Sequence, residues 1–379
     1  MVPGAILKAV DQPSTPIAAV THANPYPYYA TLVAERPLYR DDALGLWVAT
    51  SATAVRAVMT SELCRVRPAA EPVPKALVGS PAGAIFGQLV RMTDGGTHLR
   101  AKLRVSGHLA SLDSAKIADH GVACARRLAE ELEPARDGGR FADFAFRLPT
   151  YIVASVLGFP PEQLPQLADW TLDFVGCLAP TATAERLEGG KVAAARLVEA
   201  FVAHTGGAEL DSLVANRIGY LSQACEATAG LIGNTLLALG RYPDVLARVT
   251  TDRAFLVAVV REVVRHDAPV QNTRRFVAES GTIAGQAMRE DDAVLVVLAA
   301  ANHDPAANAD GERFDPLRKE RQAFTFSLGA HACPGETLAT LITVAGVEQL
   351  LASGVQPERL ARGVSYRPSA NLRIPRFTA

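Results

Sequence analysis

The chain has 379 residues, 49% of them hydrophobic and 20% charged. That is enough to bury a large core as one big domain or two ordinary ones, and it excludes disorder, collagen and a small disulfide-stapled scaffold. Lys and Arg number 38 against 39 Asp and Glu, a net charge of -1, so no global positive field holds nucleic acid or an anionic membrane by counterion release.

Five cysteines, Cys64, Cys124, Cys177, Cys225 and Cys333, form no C-x-x-C pair and are odd in number. This fits a reducing compartment and at least one working free thiol. The start, Met1 to Lys8, lacks the basic and apolar regions of a signal peptide. The longest apolar run, Ala293 to Ala301, is too short to cross a bilayer and reads as a buried strand. The expectation is a soluble, cytoplasmic protein with no membrane or nucleic-acid partner.

In chain order, Asn24-Pro25-Tyr26-Pro27 predicts a short helix, followed by a strand at Leu46 to Ala49 and a helix from Ala52 to Met59. From Cys64 to Asp94 seven prolines and glycines, Pro68 to Gly87, predict a long irregular flap over a ligand. From His98 to about Leu239 the texture is helical, broken at Leu157 to Pro161, near Pro180 and at Gly206-Gly207. A small sheet is expected between Thr273 and Val297, and a hairpin from Tyr366 to Phe377. No repeat or flexible linker divides the chain. The fold class is mainly α with a minor β portion.

Phe326-Ser327-Leu328-Gly329-Ala330-His331-Ala332-Cys333-Pro334-Gly335-Glu336 precedes an apolar helix from Thr337 to about Leu351. It sets a cysteine in a glycine-punctuated loop ahead of a helix N-terminus, where unpaired N–H groups favour a thiolate suited to hold a metal. Gly329 and Gly335 let the backbone approach a flat ligand, and Phe326 shields the sulfur. A buried structural cysteine is the bland alternative. Zinc is a poor fit, because His331 and Cys333 lack two further ligands at usable spacing.

This string resembles the haem-binding signature F-x-x-G-x-H-x-C-x-G of the cytochromes P450. The resemblance runs along nearly the whole chain and implies the cytochrome P450 fold, with residues 1–379 as a single haem domain lacking a reductase domain. It implies haem b (iron protoporphyrin IX) as cofactor, O2 as co-substrate and Cys333 as the iron's axial ligand. Glu262-Val263-Val264-Arg265 is similar to the family's E-x-x-R, whose i and i+3 side chains share a helix face. The family pattern assigns Arg313, in Glu312-Arg313-Phe314, to complete that pair; an ordinary surface ion pair is the alternative for Glu262 and Arg265. By the same resemblance His98, Lys102, Arg275 and His331 hold the haem propionates. Lys102 replaces the commoner arginine, giving a point charge in place of a bidentate fork.

Leu221 to Leu239 is apolar all round with Glu226 in its middle, the pattern of a helix buried through the core. An isolated carboxylate there is costly unless paired, hydrated or functional, which makes Glu226 a proton-handling candidate. Gly230 and Gly233 would allow a local opening for water or oxygen. Against the family's A-G-x-E-T-T the acid is kept, but Ala227 stands where a threonine is usual. Thr228 lies about 100° further round the helix. Three readings stay open: a substrate hydroxyl or water delivers protons, Thr228 acts through a distorted helix, or the oxidation depends less on this relay. No arginine occurs from Leu221 to Leu239, which disfavours a peroxide-using relative.

The resemblance places the substrate against the flap including Val90, against Gln223, Ala224, Ala227 and Thr228, against Val270, Asn272 and Thr273, and against Asn371. With Glu226 set aside these groups carry no charge, so a neutral, bulky ligand is expected. The flap, the Glu226-Ala227-Thr228 segment and the tail are similar to actinobacterial natural-product tailoring enzymes, including oxidases that couple indole-containing cyclodipeptides. Oxidative C–C or C–N coupling of an aromatic metabolite, or its hydroxylation, is the expected function. The alternatives are a macrolactone or terpenoid hydroxylase with substrate-assisted proton delivery, and a catalytically silent haem-binding module. With no G-x-G-x-x-G fingerprint or cysteine cluster for iron and sulfur, electrons come from a separate ferredoxin and its NAD(P)H-dependent reductase. Arg100, Arg104, Arg318, Lys319 and Arg321 are candidates to dock it, although a solvated face explains such charges equally well.

Overall fold

The computed structural model describes residues 12–378, so the reading of the first eight residues lies outside it. Helices α1 (Pro16–Ala19) and α2 (Tyr26–Glu35) lead to strands β1 (Leu38–Asp41) and β2 (Leu46–Ala49), helix α3 (Ala52–Thr60) and the short β3 (Cys64–Arg65). The flap follows, holding helix α4 (Pro81–Gln88) between 3-10 turns at Lys75–Leu77 and Val90–Met92. It is more ordered than its prolines suggest. Ser80 caps α4 by accepting from Gly83 N, and Pro81 sits at the first helical position, where it needs no donor.

The helical half comprises α5 (Gly95–Ser111), α6 (Ser114–Leu132), α7 (Gly138–Val156), α8 (Leu164–Cys177), α9 (Ala184–Thr205) and the 30-residue α10 (Ser212–Arg241). Helices α11 (Pro243–Val249) and α12 (Arg253–His266) precede β4 (Thr273–Val277), β5 (Gly281–Ile283), β6 (Gln286–Met288) and β7 (Ala293–Val296). The chain ends with α13 (Leu298–His303), α14 (Glu336–Ala352), α15 (Pro357–Leu360), β8 (Val364–Tyr366) and β9 (Pro375–Phe377). No helix among the described residues is long and apolar enough to cross a membrane.

The main core lies between α6, α7, α8, α9, α10, α12 and α14. Strands pair in the order β1-β2-β7-β4-β3, with β2 and β7 parallel and the other pairs antiparallel, and β8 pairs with β9 as the tail hairpin expected. The apolar run from Ala293 to Ala301 is only half a strand. Residues 293–296 pair with β2 and β4, after which the chain turns into α13, buried along its whole length. A continuous apolar run is compatible with either state, and neighbouring strands decided where the ladder stops.

Helix α10 is buried from Thr228 to Leu239 and is an uninterrupted α-helix. Gly230 and Gly233 do not open it. A Cβ on Gly230 would come 3.1 Å from Pro269 and one on Gly233 2.6 Å from Pro375, so both let the tail segment press against the helix.

Candidate functional site

The loop from Phe326 to Gly335 is closed by Cys333 N donating to Phe326 O at 2.7 Å. Ser327 and Gly329 both take left-handed backbone at φ 64°, and a 3-10 turn, Gly329–His331, separates them from the cysteine. Gly329 also backs onto α3, where a Cβ would stand 3.3 Å from Thr60. Gly335 is the residue before α14, and its N–H donates to Cys333 Sγ at 3.3 Å. All five cysteines are free thiols; Cys333 is exposed and the other four are buried.

Burial pushes the Cys333 thiol up, while the Gly335 N–H and the Lys102 ammonium pull it down. A coordinating metal cation deprotonates such a thiol outright.

Four polar side chains gather at this loop, two from α5, one from β4 and one from the loop itself. His98 and Lys102 share one face of α5, as their spacing requires. The His98 ring nitrogens lie 2.9 Å from Val90 O and 3.0 Å from Ala330 O, and Lys102 Nζ donates to Ala332 O. The His331 ring lies against that of His98, tilted by 43° with centroids 4.1 Å apart, and reaches Asp94 Oδ1 at 3.1 Å. Arg275, on β4, is 5% exposed, and its one hydrogen bond within the described residues goes to Arg274 O. No carboxylate of the described residues forms an ion pair with Arg275 or Lys102. Buried cations left with carbonyl partners fit a group that brings its own anions. One accessible sulfur, two cations and two imidazoles are thus a donor set suited to haem, with Cys333 toward iron and the others toward propionates.

Glu262 and Arg265 are both wholly buried, which excludes the surface-pair reading. Arg265 donates to Glu262 through Nε at 3.1 Å and NH2 at 2.7 Å, and to the carbonyls of Asn302, Gly311 and Arg313. Arg313 offers only that carbonyl. The side chain that completes the cluster is Arg321, whose Nε donates to Glu262 Oε2 at 2.9 Å, with Asp315 N donating to Oε1. Burial opposes the charge on Glu262, but these donors together hold its pKa below the usual carboxylate range. Arg318 Nε also lies 3.6 Å from Glu262. Arg318 and Arg321 are thereby committed to the interior, leaving Arg100, Arg104 and Lys319 from the expected docking set.

Beyond the loop, Glu226 is half-buried with no ion pair within the described residues. Burial raises its pKa, opposed by Arg367 and Arg91. Cys225, beside it, points away and donates to Phe146 O. Ala227 is half-buried and Thr228 buried, and because α10 is regular here, nothing turns Thr228 into the place of Ala227. This removes the distorted-helix reading.

Of the expected substrate contacts, Val90 is buried, Gln223 donates to Gly219 O, and Ala224 follows it on the same helix. Val270 bridges to Leu372, Gln271 N donates to Asn371 O, and the Asn272 side chain donates to Ala370 O, so these segments come together beside Thr273. Asn272 is thereby occupied with backbone. Arg91, which follows Val90 in the same 3-10 turn, is exposed and has no ion-pair partner among the described residues.

A predominantly helical body that presents one thiol within a cage of cations and imidazoles defines a protein built around a flat, metal-centred cofactor with acidic arms. The comparisons with known proteins point to the cytochromes P450 as what this chain is similar to. The family model "Cytochrome P450" matches residues 205–353. The biotin biosynthesis cytochrome P450 of Bacillus subtilis is 24% identical over 355 residues, 86% of this chain and 88% of that protein. The 6-deoxyerythronolide B hydroxylase of Saccharopolyspora erythraea is 32% identical over 188 residues, half of this chain and 46% of that one. The crystal structure of P450BioI in complex with hexadec-9Z-enoic acid-ligated acyl carrier protein superposes with a TM-score of 0.77 at 24% identity, covering 93% of this chain and 96% of that one. The likeness is to oxidoreductases of the cytochrome P450 kind.

Proposed function

We propose that this protein is a haem-thiolate monooxygenase that tailors a secondary metabolite, carried out in one domain that binds haem b through Cys333. The observation that carries this is the exposed Cys333 in a closed loop, with Lys102, Arg275, His98 and His331 gathered about it. When bound, haem supplies dioxygen activation driven by two electrons. Phe326 closes the loop over the sulfur through its carbonyl, and Gly335 donates to the sulfur, an interaction that tunes a coordinating thiolate.

Glu226 is the group placed to take and give a proton, because burial keeps its carboxyl easier to protonate than a surface one. With Ala227 beside it, the neighbouring hydroxyl is supplied by the ligand or a water. Hydroxylation consumes O2, two electrons and two protons to give alcohol and one water. Coupling consumes the same inputs, removes a hydrogen from each partner and gives two waters and a new C–C or C–N bond. The Ala227 departure and the small, apolar and amide wall favour coupling of a bulky aromatic compound, of which indole cyclodipeptides are one class. The relative named 6-deoxyerythronolide B hydroxylase supports the second reading, hydroxylation of a ligand whose own hydroxyl relays protons.

Electrons arrive from a ferredoxin and its NAD(P)H-dependent reductase, docked at Arg100, Arg104 and Lys319, and the protein works in the cytoplasm. The test is a thiolate-type spectrum of the reduced carbon monoxide complex, then turnover with a surrogate ferredoxin and reductase on indole cyclodipeptides and macrolactones, read by product mass. Oxygen gained marks hydroxylation, and hydrogens lost with units joined marks coupling. Absence of the thiolate spectrum would sink the assignment of Cys333.

A further inference from the structure

Between Gly219 and Gly230, α10 is covered at both ends and bare in the middle, a stretch of about 16 Å at the helical rise. At the first end a Cβ on Gly219 would stand 2.8 Å from Leu89 of the flap. At the second a Cβ on Gly230 would stand 3.1 Å from Pro269 and 3.3 Å from Ile374. The far side of the helix is sealed as well, since Cys225 is wholly buried and donates to Phe146 O on α7. Among these contacts Gln223, Ala224, Glu226 and Ala227 are each only half-buried. They face a cleft bounded by the flap on one hand and by the Pro269 and Ile374 segments on the other.

The Gln223 amide is held in one orientation. Its Nε2 donates to Gly219 O at 2.9 Å, and a Cβ on Gly219 would stand 2.9 Å from the same nitrogen. Only the nitrogen can face that carbonyl, because two oxygens would repel, so Oε1 is the atom turned away. Oε1 accepts no hydrogen bond among the described residues and keeps accessible surface. Asn272, three residues after Pro269, repeats the pattern: its Nδ2 donates to Ala370 O at 2.8 Å, and its Oδ1 accepts nothing among the described residues. Both amides thus commit nitrogen to backbone and leave oxygen unpartnered. A ligand N–H, a donor without lone pairs, matches such an oxygen, whereas a hydroxyl also brings lone pairs to be satisfied. A ligand that displaces water from the oxygen without donating to it loses affinity.

We propose that Gln223 is a specificity-determining residue whose side-chain oxygen accepts a hydrogen bond from an N–H of the substrate, the indole or the ring-amide N–H of a cyclodipeptide. This rests on the haem-thiolate reading and narrows it: the ligand is neutral and carries an N–H donor on an otherwise bulky, apolar body. Glu226 and Ala227 lie three and four residues further on, one turn along the same face of α10, so a ligand held at Gln223 extends past them.

The experiment is an optical titration of the ferric holoenzyme with three matched compounds: cyclo(Trp-Trp), its form methylated on both indole nitrogens, and its form methylated on both ring-amide nitrogens. Thiolate ligation is checked first by the carbon monoxide spectrum. One methylated form is expected to bind about tenfold more weakly than the parent compound, or weaker still, and which one it is identifies the donor. Gln223→Met, which keeps the length of the side chain and removes the acceptor, brings that ratio to about one by weakening the parent compound. The variant must keep the thiolate spectrum, which shows that it folds and loads. Equal binding of all three compounds by the unmodified protein, or no binding of any, overturns the proposal whatever the variant does. A preference that survives in Gln223→Met is steric and overturns it too, as does a variant that weakens all three alike. Each of these leaves the haem-thiolate reading standing, whereas absence of the thiolate spectrum in the unmodified protein overturns that reading and this proposal with it.

Discussion

Cys333 differs from the other four cysteines in being exposed, and its loop positions it from both sides, by its own N–H to Phe326 and by the Gly335 N–H to its sulfur. Replacing it with serine keeps this backbone and removes the soft ligand. Cys333→Ser is expected to abolish the thiolate-type carbon monoxide spectrum, and an unchanged spectrum would overturn its role. Glu226 has the opposite character, a carboxyl that burial holds partly against ionisation. Glu226→Gln cannot exchange a proton, so turnover should fall by about 10²-fold if the group is the proton carrier. Ala227→Thr restores a hydroxyl next to it, and the fraction of electrons that reaches product should change; equal efficiency in both forms would mean that position 227 does not limit proton delivery. The cysteine and the acid were legible because each is a chemical anomaly in its surroundings. The role of Arg321 was not, because an arginine in an irregular segment looks the same whether it faces water or a buried carboxylate.

Helix α10 shows how far an element can be read before its neighbours are known. Its apolar surface on every side announced burial, and it is buried. The meaning of its glycines depended on what lies against them, namely Pro269 after α12 and Arg373, Ile374 and Pro375 from the tail. Gly233→Ala places a methyl within 2.6 Å of Pro375, and an overpacked contact of this kind is expected to cost about 1–3 kcal/mol in unfolding free energy. A stability equal to the parent in denaturant titration would show that the tail moves freely away. The same dependence on neighbours split Ala293 to Ala301 into a strand and a helix. In the flap, the Ser80 cap and Pro81 were signals present in the sequence, masked by the density of prolines around them.

Across the whole molecule, two buried charge clusters tie distant segments together. Glu262, Arg265 and Arg321 join α12 to the loop before the cysteine. Tyr26 donates to Asp267, which also accepts from Arg373 Nε at 2.9 Å, while Arg373 donates to the carbonyls of Val20, His22 and Ala23. Breaking one partner of such a pair leaves a stranded charge. Arg265→Met should therefore destabilise by about 3–5 kcal/mol, and adding Glu262→Leu should recover part of the loss. Next to the second cluster, His266 is held down to about 4 from an ordinary value of 6.5, chiefly by burial, with His303 adding to it and the Glu312 carbonyl opposing. Its folded pKa lies below its unfolded one, so protonation favours the unfolded chain. The stability it contributes is complete above pH 6.5 and is lost as pH falls toward 4, on the order of 2–3 kcal/mol. Thermal unfolding from pH 7 to 4 should be less steeply pH-dependent in His266→Phe than in the parent, and equal slopes would show that His266 does not carry the loss; Glu262 and Asp267, with depressed pKa values, act at lower pH.

The sequence by itself determined the helical class, the buried α10, the cysteine loop, and the shared face of His98 and Lys102. Each follows from spacing along one element or from a residue whose chemistry is out of place locally. Only the tertiary structure decided that Arg321 and not Arg313 completes the Glu262 cluster, and that Gly230 and Gly233 are packing contacts. In these cases the deciding atom lies on a segment distant along the chain. Burial and electrostatics depend on separation in space, which periodicity along a single element does not encode.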